Sequence, residues 1–177
     1  MIRWKLSLPA LAVVLAGTVT SGCGDDLQTE GERAVRAYCE AVIIAYRTGD
    51  ADTVLPVATE REWRKIFTLI DVKQANGLVL ESELEKLDVT SVDQPNSGFM
   101  TVAATERWRY FDRPIELGKP PATEFVVEMD LVYSFVDKDG VWKMDEATTR
   151  RHEYIEPDGH RPIEDQSGET VSRPGQP

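Results

Sequence analysis

Residues 124–144 read EFVVEMDLVYSFVDKDGVWKM, and this stretch decides the fold. Phe125, Val127, Met129, Leu131, Tyr133 and Phe135 fall on one side, with Glu124, Glu128 and Asp130 on the other. A period of two marks a half-buried β-strand, apolar toward a core and charged toward water. Asp137-Lys138-Asp139-Gly140 has the composition of a tight turn, and Val141 to Thr149 returns with Trp142 and Met144 inward. Two alternating runs around such a turn predict an antiparallel hairpin. A sheet with one apolar face needs a second layer to cover it, so helices have to come from elsewhere in the chain.

They lie upstream, beyond two more strands. Phe99 to Phe111 reads as a long strand, followed by a proline-rich loop from Asp112 to Pro121, and Pro95 to Gly98 is a turn. From Leu78 the apolar residues alternate, then slip by one between Leu84 and Leu87 before Val89, which predicts a bulge. Before Leu78 the spacing is helical. Thr29-x-x-Glu32 has the capping-box spacing ahead of an apolar stripe at Val35, Tyr38, Cys39, Val42 and Tyr46, stopped at Gly49. Asp50 or Asp52 caps a short helix over Thr53 to Ala58. Thr59-x-x-Glu62 opens a third helix, with Trp63, Ile66, Phe67 and Ile70 on one face, ending at Asn76-Gly77. The expected fold class is α+β: N-terminal helices packed on the concave face of a curved four-stranded antiparallel sheet.

The two ends read differently. Arg3 and Lys5 precede an apolar run from Leu6 to Val19, shorter than the roughly 20 residues that span a bilayer. Residues 1–22 therefore read as a secretory signal peptide. Thr20-Ser21-Gly22-Cys23 resembles the bacterial lipobox, in which small residues precede an acylated cysteine; Thr20 stands where leucine is usual. The resemblance implies lipid on Cys23, membrane attachment through it, and a cell-envelope location facing the periplasm or exterior. Ordinary cleavage nearby, leaving a free thiol, is the alternative. Stable anchoring takes more than one acyl chain. Residues 23–30 are expected to form an acidic tether, residues 31–155 the domain, and residues 156–177, with their prolines and glycines, a disordered tail.

Charge narrows the partners. Lys and Arg number 20 and Asp and Glu 31, a net charge of −11, which becomes −13 once Arg3 and Lys5 leave with the signal peptide. Nucleic-acid binding calls for a basic surface, so no such partner is expected. With Cys23 as anchor, Cys39 is the one remaining cysteine; on the apolar stripe it reads as a small buried hydrophobe.

The run Ala45-Tyr46-Arg47-Thr48-Gly49-Asp50-Ala51-Asp52, the hairpin from Tyr133 to Met144 and the order of elements together resemble the nuclear-transport-factor-2-like superfamily. Its fold is the cystatin-like cone, shared by ketosteroid isomerase, SnoaL-like cyclases and many bacterial lipoproteins. The likeness covers Gly31 to Tyr154. A narrower one is to the intermembrane-space-type domains of plastid-division proteins. An isomerase of this superfamily implies a pocket carboxylate as base and a hydroxyl as oxyanion donor. Glu106, on the face with Met100, Val102, Ala104 and Trp108, is the carboxylate candidate, and Tyr38 or Tyr46 the hydroxyl; as packing residues they need no such role.

Other constellations carry less. His152-Glu153 with Asp158 and His160 matches no metal-ligand spacing and reads as solvated chain. Asp137-x-Asp139-Gly140 lacks the glycine and glutamate positions of a calcium loop. Arg107, Arg109 and Lys143 against Glu124, Glu128 and Asp130 read as a cross-strand charge ladder, or as a face on which the sheet pairs with a homodimer partner. No cofactor motif is present in the sequence. Three functions remain: a lipid-anchored domain binding an unknown small molecule or protein without catalysis, a SnoaL-like isomerase or cyclase, and a structural envelope module dimerising through its sheet. The lipobox reading predicts that Cys23→Ser moves the protein from the membrane fraction to the soluble fraction; retention in the membrane places the anchor elsewhere.

Overall fold

The computed structural model describes residues 23–116, 118–119 and 123–155. The expected signal peptide, residues 1–22, and the expected C-terminal tail, residues 156–177, therefore lie outside the described residues. Helix α1 spans Cys23–Thr48, a 3₁₀ turn Ala51–Val54 and helix α2 Glu60–Ala75. Strands follow at Leu78–Asn96 (β1), Phe99–Pro114 (β2), Thr123–Lys138 (β3) and Val141–Ile155 (β4). They form one antiparallel sheet in the order β1-β2-β3-β4, so each strand pairs with its neighbour in sequence. This is the expected α+β architecture, with both helices on one face of the sheet. Among the described residues no helix is long and apolar enough to cross a membrane.

The strands run to 15–19 residues, far beyond the usual 5 or 6, and strands of that length twist and bend. Bulges place the bends. The pairing of β1 with β2 shifts between Leu84 and Lys86, where the apolar phase slips in the sequence. The β3–β4 pairing shifts between Ser134 and Phe135, leaving Asp145 as the extra residue on β4. That bulge receives the start of α2: Thr59 donates its hydroxyl to Asp145 at 2.9 Å, and Arg61 pairs with Asp145 and Glu146. Backbone bonds from Thr59 N–H to the Met144 carbonyl and from Met144 N–H to the Val57 carbonyl, both 2.8 Å, add a short parallel bridge. At the hairpin tip Asp139 and Gly140 both take positive φ, 57° and 81°, as a two-residue turn between twisted strands demands.

The core lies between α1 and the sheet. The five alternate residues Met100, Val102, Ala104, Glu106 and Trp108 of β2 all point into it, as do Val127, Leu131, Tyr133 and Phe135 of β3. From α1 come Val35, Tyr38, Cys39 and Val42, the stripe read from the sequence. At Gly31 the helix backbone lies close against the sheet. A Cβ placed there would sit 2.5 Å from Cγ2 of Val92 and 3.2 Å from Cγ2 of Val102.

The structure corrects several expectations. Helix α1 does not wait for a cap at Thr29 but begins at Cys23, so residues 23–30 form its first turns instead of a tether. Its early side chains find partners on the sheet: Leu27 packs on the core, Gln28 Nε2 donates to the Val89 carbonyl at 3.1 Å, and Glu30 accepts from Trp142 Nε1 at 2.7 Å. The short helix sits at Ala51–Val54, earlier than expected, because the Asp50 side chain caps it through the Asp52 N–H. Phe67 is half exposed, stacked on Trp63 at 5.2 Å beyond the edge of the core, so only Ile66 and Ile70 of that face are buried. Strand β4 continues past Thr149 to Ile155, so His152 belongs to a strand while its side chain stays exposed, as expected of a solvated residue.

The close approach at Gly31 predicts that Gly31→Leu destabilises the domain by about 2 kcal/mol through overpacking. Urea unfolding checks this, and Val92→Ala in the same chain is expected to restore part of the loss.

Candidate functional site

The inner end of the cone is a closed polar cluster. Glu106, in the middle of β2, is 1% exposed. Tyr133 on β3 donates its hydroxyl to Oε1 at 2.7 Å, and Trp108, two residues along β2, donates Nε1–H to Oε2 at 2.6 Å. The Cys39 thiol of α1 approaches Oε1 at 3.8 Å. Alternation brings Trp108 to the same face as Glu106, and the β2–β3 register sets Tyr133 opposite Val102 on that face. Nearby, Tyr38 donates to Glu62 Oε1 at 2.8 Å, while Lys65 Nζ lies 2.8 Å from Glu62 Oε2. The Tyr38 and Tyr133 rings meet edge to face at 6.1 Å and join the two carboxylate sites.

Electrostatics keep the donors protonated. Burial pushes the Tyr38 and Tyr133 hydroxyls well above the usual tyrosine range, and burial followed by the Glu106 charge does the same to the Cys39 thiol. Burial also raises Glu106, against the opposing pull of the hydrogen bonds from Tyr133, Trp108 and Cys39. A general base must reach the proton it removes with a free lone pair. Glu106 is enclosed, and both its oxygens are taken by protein donors. Of the three sequence candidates, Glu106 therefore meets neither tyrosine nominated for it: Tyr38 serves Glu62, and Tyr46 lies in a separate pocket.

That pocket, of about 560 Å³, opens at the other end of the cone. Tyr46 from the last turns of α1 and Lys73 from α2 line one side, with Leu80, Tyr110 and Phe125 on the sheet and Tyr154 near the end of β4. A run of rings connects the two ends: Trp108 stacks on Tyr110 at 5.8 Å, Tyr110 on Phe125 at 5.2 Å, and Tyr154 meets Phe125 edge-on at 6.1 Å. Among the described residues no carboxylate lines the pocket. Lys73 reaches Asp112 at 2.5 Å, which neutralises it, and His152 stands at the rim with its ring edge against Tyr154.

The outer face of the sheet carries the charge ladder, with altered partners. Arg109 bridges Glu85 and Glu124, Arg107 joins Glu85, and Arg151 pairs with Glu128 and Asp130. Lys143 takes no part; its amino group donates to the Leu55 carbonyl at 2.5 Å. Asp137 accepts the Gly140 N–H at 2.7 Å and closes the hairpin turn. Among the described residues no three metal-ligating side chains come together. His160 lies outside the described residues.

Sequence reasoning missed Tyr133 as the partner of Glu106, although the alternation of β3 already put it inward. It also missed the pocket residues Tyr110, Phe125 and Tyr154. Glu62 was hidden by its capping-box spacing.

Helices laid on one face of a curved antiparallel sheet, open at one end, define the cystatin-like cone. No protein-family model matches the sequence, and no curated protein matches it. Among solved structures the chain is similar to the intermembrane space region of the chloroplast protein ARC6, at a TM-score of 0.61 and 18% identity, covering 69% of this chain and 95% of that one. It is also similar to an uncharacterized protein with a cystatin-like fold from Caulobacter vibrioides, at a TM-score of 0.44 and 13% identity over 73% of this chain and 92% of that one. A hexachlorocyclohexane dehydrochlorinase from Novosphingobium barchaimii gives a TM-score of 0.46 and 10% identity over 73% and 94%. These likenesses are of fold alone.

The enclosed carboxyl group yields a prediction with a sign. Glu106→Ala strands the Tyr133 and Trp108 donors and is expected to cost about 3 kcal/mol. Glu106→Gln is milder, because its carbonyl still accepts from Trp108 while its amide donates to the Tyr133 oxygen. In the native protein Glu106 keeps its proton to higher pH than in the unfolded chain. The stability it contributes is therefore complete below the ordinary glutamate range and is lost as pH rises into the interval above that range. Urea unfolding across this interval should show that slope in wild type and its absence in Glu106→Gln.

Proposed function

We propose that this chain is a lipid-anchored envelope protein, held to the membrane through Cys23, whose cone domain binds a small apolar molecule without transforming it. One observation carries the binding half: the cone's buried acid and its open space are separate. Glu106 is sealed among its donors, whereas the 560 Å³ pocket is lined mostly by aromatic and aliphatic side chains and, among the described residues, by no carboxylate. Ligand sites have this form, mostly apolar walls with a few placed polar groups. The isomerase reading needs Glu106 within reach of a substrate, and the closed cluster speaks against it. A purely structural module leaves the pocket without a use. The anchoring half rests on the sequence, on Arg3 and Lys5, the apolar run, and Ser21-Gly22-Cys23.

The neutral dye N-phenyl-1-naphthylamine tests the pocket. It is expected to bind the purified protein saturably at one site and to brighten there. Thr149→Trp, at an exposed position on the pocket wall, should weaken it about 10-fold or more, while Glu106→Gln leaves it unchanged. Absence of binding to wild type, or binding indifferent to Thr149→Trp, overturns the reading.

A further inference from the structure

Four tyrosines line the cone's interior in two pairs. Tyr38 and Tyr133 give their hydroxyls to Glu62 and Glu106. Tyr46 and Tyr110 do not: among the described residues neither hydroxyl has a hydrogen-bond partner, and both side chains line the pocket. A phenol has one proton to donate, and a mostly buried hydroxyl left without a protein partner is open to a ligand. The two are neighbours, since Tyr46 is the largest influence after burial in pushing Tyr110 upward. Both therefore stay protonated and offer donors to the same space.

The remaining lining fixes what kind of molecule meets those donors. Lys73 is paired with Asp112 at 2.5 Å, and among the described residues no carboxylate faces the pocket; His152 at the rim is the other ionisable side chain besides the tyrosines, so the walls favour an uncharged molecule. Phe125 and Tyr154 both line the pocket; the Phe125 ring is stacked on Tyr110, and Tyr154, about half exposed, meets it edge to face. Rings held in this way favour a flat partner, by stacking or by edge contact.

We infer that the pocket takes an uncharged, ring-bearing molecule with a carbonyl-type oxygen, which accepts hydrogen bonds from Tyr46 and Tyr110 while its ring lies against Phe125 and Tyr154. The inference rests on the pocket reading above and adds the chemical class of the ligand.

Three probes separate the parts: naphthalene, 2-acetonaphthone with one added carbonyl, and the anion 2-naphthoate, each measured against the purified full chain by titration calorimetry. 2-Acetonaphthone is expected to bind about 5-fold more tightly than naphthalene, the effect of one net hydrogen bond. 2-Naphthoate is expected to bind no better than 2-acetonaphthone. Tyr46→Phe and Tyr110→Phe each keep the ring, so each should shrink the carbonyl preference, and the double variant should abolish it, leaving 2-acetonaphthone and naphthalene with equal affinity. Equal affinity for naphthalene and 2-acetonaphthone overturns the inference and leaves the pocket reading standing. A preference that survives the double variant removes the tyrosines from the role, and tightest binding by 2-naphthoate removes the neutrality. If none of the three binds, and the dye does not either, the pocket reading falls with it.

Discussion

A carboxyl group in the middle of an apolar core is the constraint around which this molecule is arranged. Leaving Glu106 without donors would cost more than most single contacts in a domain of this size return. Its donors come from three directions: Trp108 from its own strand, Tyr133 from the next strand and Cys39 from the helix above. Satisfying it fixes the height of α1 over the sheet and the rotamers of two large aromatic residues. Tyr38, leaning on Tyr133, carries the same order across to Glu62 and so to α2. One polar cluster thus registers both helices against the sheet, where apolar packing alone would tolerate sliding.

The same cluster explains why the two ends of the cone differ. Trp108 is held by Glu106 on one side and stacks on Tyr110 on the other, so it acts as the floor between a filled interior and an open mouth. Beyond that floor the strands outrun the helices. Strand β4 reaches Ile155, and its last residues supply His152 and Tyr154 to the pocket that Tyr46, Leu69 and Lys73 line from the helices. The pocket is the geometric result of long strands meeting short helices, and its polarity follows from which tyrosines lie above the floor and which below.

Much of this was legible in the residues, for local reasons. The alternation from Phe125 to Phe135 and the inner face of β2 follow from the pleat, and the slip between Leu84 and Leu87 marks a bulge because a one-residue insertion shows in a period of two. What escaped depended on distance in three dimensions. Thr59 and Glu62 have the spacing of a capping box, yet the bulge at Asp145 draws Thr59 away and Tyr38 draws Glu62 inward, and neither partner is near in sequence. The start of α1 was hidden in the same way, since Leu27, Gln28 and Glu30 find their partners on strands many residues away. Glu106 was identifiable as an inward acid by its face; that its company is Tyr133 and Trp108, and that it is shut in, required the strand register and the closing of the cone.

The early start of α1 would change the mechanics of the attachment proposed at Cys23. A flexible leader would let a domain swing and reach through a hemisphere above the bilayer. Here the helix is continuous from Cys23 for 26 residues, about 39 Å of stiff rod, and its first turns are already fastened to the sheet at Val89 and Trp142. Lipid on Cys23 would then be joined to a lever without a hinge, so the bilayer would set the domain's height and restrict its tilt. Held in that way, the domain would act as a bracket rather than a float, meeting a partner at one fixed level above the bilayer.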